Sequence, residues 1–116
     1  MQDGFISPTF LSHAADVLAD TQSGLTGNDI VRATRGYAME YGVNLPHPTY
    51  PFTASSKRVA LNENLLAFTA AQQYRIIREL CDHPSFSAVP NPLRRNLKIQ
   101  LATRYGYLSA EHPSST

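Results

Sequence analysis

Residues 69–83 read TAAQQYRIIRELCDH, and this stretch decides the fold class. Tyr74, Ile77, Leu80 and Cys81 recur at helical spacing, which stacks them on one face of an α-helix, with Ile76 widening the stripe. Arg75 and Glu79, and Arg78 and Asp82, are each four residues apart on the other side, where opposite charges pair across successive turns. Thr69 and Gln72 form a T-x-x-Q capping box at the start, and Pro84 bars continuation past His83. A helix with one apolar stripe must bury it, so the stretch predicts a central helix with other helices around it.

Immediately upstream, Ser56 caps a helix over residues 57–68, KRVALNENLLAF. Leu61, Leu65 and Phe68 mark its inward face, and Asn62, Glu63 and Asn64 supply polar surface. Thr69 breaks and restarts the chain, so the two helices should form a hairpin with Leu61, Leu65 and Phe68 against Tyr74, Ile77 and Leu80. Before them, residues 44–56 read NLPHPTYPFTASS, with prolines that neither a helix nor a central strand accepts. This predicts an extended loop across the helices, with Leu45, Tyr50 and Phe52 pinned into the core.

The strongest helix start is LTGNDI at residues 25–30, with Thr26 as cap, Asp29 at the third helical position and Leu25 and Ile30 as a hydrophobic staple. Ile30, Ala33, Thr34, Tyr37, Ala38 and Tyr41 follow at helical spacing, and Gly42 closes the helix. Gly36 inside it costs about 1 kcal/mol relative to alanine, which reads as close approach of another helix. The first helix begins at Ser7 and Pro8, buries Phe10, Leu11, Ala14, Val17 and Leu18, and ends near Asp20. Downstream, SFSAVP (85–90) is a second linker, and Asn91 and Pro92 open a last helix through LRRNLKIQLATRY, closed by Gly106. Residues 97–105 also alternate apolar and polar, a strand pattern. Helix is the favoured reading, because no second strand is visible to pair with it.

The chain is therefore expected to be all-α: a compact bundle of about five helices with a proline-rich extended loop. Its 116 residues suffice for one core, a single helical domain over 1–108 with a flexible tail over 109–116. Hydrophobic residues make up 42% and charged residues 16%. That charged share lies below the roughly 25% usual in globular domains, so exposed apolar surface and self-association or a protein partner are expected. The net charge of +1 hides a polarity: residues 1–56 carry two arginines against five acids, and residues 57–104 carry eight cations against three acids. A lone cysteine, Cys81, excludes an intrachain disulfide and fits a reducing cytoplasm. Neither an export signal nor a run long enough to span a membrane is visible.

Chemistry-bearing patterns are sparse. Cys81-Asp82-His83 offers metal-binding side chains, but a structural zinc site wants four ligands at paired spacing, and His13, His47 and His112 are scattered. Cys81 on an apolar stripe reads as a small buried hydrophobe rather than a nucleophile. The glycines form no phosphate-cradling loop, and no carboxylates are paired for acid–base work. These features imply no enzyme activity, no cofactor and no small-molecule substrate. Arg94, Arg95 and Lys98, with Lys57 and Arg58, form the candidate basic face. Tyr105, Tyr107 and Leu108 form the candidate apolar patch. The alternative function is nucleic-acid binding through the basic face. Helices one and two with Arg32 and Arg35 outward could also form a helix-turn-helix, against which stand the long connector and the acidic charge of that half.

LSHAADVLADT (11–21), LTGNDIVRATRGYAMEYGV (25–43), YRIIRELCDHP (74–84) and KIQLATRYGYL (98–108) together resemble the N-terminal helical region of uncharacterised bacterial abortive-infection and phage-defence proteins. The resemblance spans most of residues 7–108 and brings no catalytic motif. It implies a regulatory or protein-interaction module, which in those relatives precedes a longer segment.

Overall fold

The structure, a computed structural model, describes residues 5–86 and 91–110, and among them it is all-helical. Five α-helices follow in order: α1 (Pro8–Leu18), α2 (Gly27–Tyr41), α3 (Lys57–Leu66), α4 (Ala70–Cys81) and α5 (Pro92–Ala110), with a 3₁₀ turn at Pro84–Phe86 between the last two. Local chemistry sets the starts. The side-chain oxygens of Ser7, Thr26, Ser56 and Thr69 accept the backbone N–H of Phe10, Asp29, Val59 and Gln72 respectively. Both expected capping boxes close, with Asp29 and Gln72 returning bonds to the N–H of Thr26 and Thr69. Asn91 Oδ1 accepts the N–H of Leu93 at 2.7 Å and opens α5. α2 ends on Gly42 with φ +68°, the left-handed conformation that glycine adopts without a Cβ penalty.

The helices do not pack as the sequence suggests. α3 lies chiefly against α1, and α4 chiefly against α5, so the α3–α4 pair is a bend between two packing units rather than a side-by-side hairpin. Leu61, Leu65, Phe68, Tyr74, Ile77 and Leu80 all enter the common core. The hub is α1, which meets α3, α4 and α5; its small Ala14 and Ala15, both buried, let neighbours approach closely. Asp20 ends the α1 region by accepting the N–H of Gln22 and of Ser23, each at 3.1 Å, which holds its carboxyl below the ordinary range.

Three local expectations are corrected. Gly36 is not a close-packing point: a Cβ there would meet nothing within 4 Å, because α2 turns that position outward. Residues 97–105 are helical, as favoured, but Gly106 does not close the helix, and α5 runs through it to Ala110. The inward positions Arg94, Leu97, Leu101 and Leu108, with half-buried Tyr105, supply the three-to-four spacing that the alternation obscures. The end expected at residue 108 thus falls inside α5, and residues 111–116 lie outside the described part, as do residues 87–90 of the expected linker.

The proline-rich loop crosses the bundle as expected, with Leu45 and Phe52 packed against the core, but Tyr50 is largely exposed. Its ring lies over the start of α2, where a Cβ on Gly27 would collide with it. What pins the loop is polar. Asn64, expected on the surface, is buried; its Oδ1 accepts the N–H of His47 at 2.9 Å, and its Nδ2 donates to the His47 carbonyl at 3.0 Å and to Thr34 Oγ1 at 3.3 Å. Thr34 donates in turn to the Ile30 carbonyl at 2.7 Å, and His47 Nε2 lies 2.5 Å from Glu63 Oε1. One asparagine on α3 therefore fixes both the loop and α2 through bonds that leave its own amide satisfied. Among the described residues, no helix is long and apolar enough to cross a membrane.

Candidate interaction surface

The cations singled out in the sequence are drawn apart by the fold. Arg94 is only 5% exposed, its guanidinium carbon 3.8 Å from the centre of the Phe86 ring. It belongs to the packing of α5 on the 3₁₀ turn and is corrected as a contact residue: a planar cation stacks well on an aromatic face, and its stem fills apolar space. Lys98 Nζ reaches Asp82 Oδ2 at 2.6 Å, tying α5 to the end of α4. The expected Arg78–Asp82 pair is displaced; Arg78 lies over the Tyr74 ring at 5.6 Å. Arg95 is exposed. Lys57 Nζ donates to the Leu25 carbonyl at 2.7 Å.

A second cation is consumed more completely. Arg75 bonds Glu40 at 2.6 Å, Tyr41 at 2.7 Å and, as expected, Glu79 at 3.1 Å. Glu79 also accepts the Tyr37 hydroxyl at 2.6 Å. Burial opposes ionisation of Glu79, but the Tyr37 hydroxyl and Arg75 outweigh it and hold the carboxyl below its ordinary range. Burial first, and then the same carboxylate, push the Tyr37 hydroxyl above its own. Arg75 thus locks α2 to α4. Arg32 and Arg35 are exposed on α2, but α2 takes its packing mainly from α3, not from α1 as a helix-turn-helix would require.

The C-terminal apolar patch also resolves into unlike parts. Tyr105 accepts the N–H of Ser7 at 3.3 Å and sets its ring 5.2 Å from that of Phe10, edge to face. Leu108 is buried. Both are corrected as contact residues: Tyr105 packs on the start of α1, and Leu108 lies inside, beside Tyr74 and Arg78 of α4. Of the three, Tyr107 alone projects, 47% exposed.

With Tyr107, however, comes a surface that sequence reading missed. Leu93, Asn96, Gln100, Thr103 and Tyr107 are all exposed and recur every three or four residues along α5, with Ile99 beside them. Leu93 is 58% and Ile99 56% exposed. No position in this stripe is charged. Arg94 is turned to Phe86 and Lys98 to Asp82, and Arg104 lies 5.8 Å over the Phe10 ring of α1. The fold therefore draws three of the cations on α5 towards its own neighbours and leaves an uncharged stripe flanked by the exposed Arg95 and Arg104. The available signal was the missing charge at a three-to-four spacing, hidden by the stronger alternation of Leu97, Ile99 and Leu101.

Cavities offer less chemistry. Where α4 ends and α5 begins, Cys81, Asp82, Phe86, Arg94, Arg95 and Lys98 line a cleft of about 480 Å³. Burial, then Asp82, push the Cys81 thiol up to about 11, so it is protonated at neutral pH and a poor nucleophile. Gly36 sits in a groove of about 450 Å³ with Tyr37, Glu40, Glu79 and His83. Among the described residues, no three His, Cys, Asp or Glu side chains stand close enough together to hold a metal ion. No protein-family model, no curated protein and no solved structure matches this chain.

Proposed function

We propose that this chain is a non-enzymatic protein-interaction module whose contact surface is the outer face of α5. The observation that carries this reading is the neutral stripe from Leu93 to Tyr107, with three large apolar side chains exposed among uncharged polar ones. Surfaces that bind proteins are depleted in charge at their centre and combine apolar anchors with polar groups able to bond across the contact. The other exposed large apolar residues, Phe5, Met39, Tyr50, Val59 and Leu66, lie away from α5 in the chain, and single exposed apolar side chains are ordinary. The resemblance to helical regions of abortive-infection proteins supports a place in bacterial conflict with phages or mobile elements.

Nucleic-acid binding is the less favoured reading, because Arg94, Lys98, Lys57 and Arg75 are engaged within the fold and phosphate contacts need free cations. A photo-crosslinking residue at Thr103, compared with one at Ser12 on α1, tests the reading in cells of the source organism. Protein adducts from position 103 and not from position 12 are expected. Equal adducts from both positions, or nucleic acid as the sole adduct, would overturn it.

A further inference from the structure

We infer that the cleft between the end of α4 and the start of α5 binds a small soluble molecule carrying a phosphate group. The inference stands apart from the reading of the outer face of α5, and either can fail without the other.

Charge marks this cleft. Arg94, Arg95 and Lys98 line it against a single acid, Asp82. All three cations fall in the opening PLRRNLK of α5, residues 92–98, at the end of the helix where the backbone dipole is positive and repels them. The first turn holds no acid to offset this, and none follows along the rest of α5. Like charges gathered at that end oppose folding, and an anion in the cleft relieves them.

Position adds to charge. Arg94 is buried and stacked on Phe86, and a charge in low-dielectric surroundings acts on a nearby anion more strongly than one in water. Lys98 bonds Asp82, but an ion pair between side chains this exposed is weak, and the ammonium carries three donors. Arg95 is exposed, and its guanidinium presents paired donors that match two phosphate oxygens. The volume of about 480 Å³ lies within the range of small-molecule sites. Pro92, Phe86 and Cys81 supply an apolar wall for the group that bears the phosphate. A nucleic-acid strand lies along a surface and needs cations directed outward, whereas these line one recess.

Heteronuclear NMR of the isotope-labelled chain, titrated at constant ionic strength with inorganic phosphate and with phenyl phosphate, reads the binding, with sodium chloride as the control. Saturable shifts at Arg95 and Lys98 are expected with both phosphates and not with chloride, and phenyl phosphate should bind the more tightly. Arg95→Gln and Lys98→Gln should each weaken binding by about tenfold, as for the loss of one hydrogen bond to a charged group, with circular dichroism as the check on folding. Asp82→Asn removes the competing acid and should tighten binding severalfold, an effect that a purely structural Lys98–Asp82 pair would not give. Arg35→Gln takes the same charge from the exposed side of α2 and should leave affinity unchanged. Shifts that do not saturate, equal weakening by Arg35→Gln and Arg95→Gln, or weaker binding in Asp82→Asn would each overturn the proposal. A phosphoserine peptide that binds more tightly than phenyl phosphate would also overturn it, by moving the phosphate from a small molecule to a partner protein.

Discussion

Asn64 and Gln100 are both amide side chains on helices of one small bundle, and they do opposite things. Asn64 is buried and spends its hydrogen-bonding groups on His47 and Thr34, holding the proline-rich loop and α2 to α3. Gln100 stands at the middle of an uncharged, exposed stripe on α5. The first is costly to remove because its partners are left dry; the second touches nothing that folding needs. Polar residues in this chain thus divide between those that complete the fold and those left over once it is complete.

The largest effects should come from the apolar ground on which the clamp stands. Leu65→Ala or Ile77→Ala should each cost on the order of 2 to 5 kcal/mol, the range for truncating a large buried side chain. Urea melts with unchanged midpoints would contradict their place in the core.

Next comes the clamp itself. Asn64→Leu removes the partners of a backbone N–H, a carbonyl and a hydroxyl, and should cost about 2 to 4 kcal/mol at the price of buried unsatisfied groups. Hydrogen exchange should then accelerate at His47 first. If protection there survives, the loop is held by its apolar residues and the contrast with Gln100 loses its basis.

Smaller and of opposite sign is Gly36→Ala. The added methyl meets open space on α2, so the helix should gain up to about 1 kcal/mol from better propensity; a loss would mean that the groove at Gly36 closes in solution. Smallest is Gln100→Ala, expected to leave folding stability within about 0.5 kcal/mol, as for an exposed position without partners. A larger loss measured on the monomer would make Gln100 a second Asn64 and erase the distinction.

Legibility in the sequence followed the range of the interactions. The caps at Ser7, Thr26, Ser56 and Thr69 are set within a few residues of each helix start, and all were readable there. Gly42 was readable as a stop for the same reason, whereas Gly36 was misread because the direction a helical position faces depends on distant neighbours. The Asn64 clamp joins residues 17 and 30 positions apart, beyond any local pattern. Arg94, Tyr105 and Leu108 were expected at the surface because charge and C-terminal position suggested it. Stacking on Phe86 for Arg94, the start of α1 for Tyr105 and burial beside α4 for Leu108 decided otherwise. Arg95, Lys98 and Tyr107 do remain at or near the surface, and the stripe that joins Tyr107 to Leu93 became apparent only after the inward face of α5 was assigned.

The contact between Gly27 and Tyr50 makes their substitutions dependent on order. A side chain at position 27 would occupy the space of the Tyr50 ring, pushing that ring from its edge-to-face contact with Phe52 at 5.2 Å. A change at 27 arising first carries the cost of displacing Tyr50. The same change following a small residue at 50 meets no ring. The pair is epistatic, and the accessible mutational path runs through position 50 before position 27.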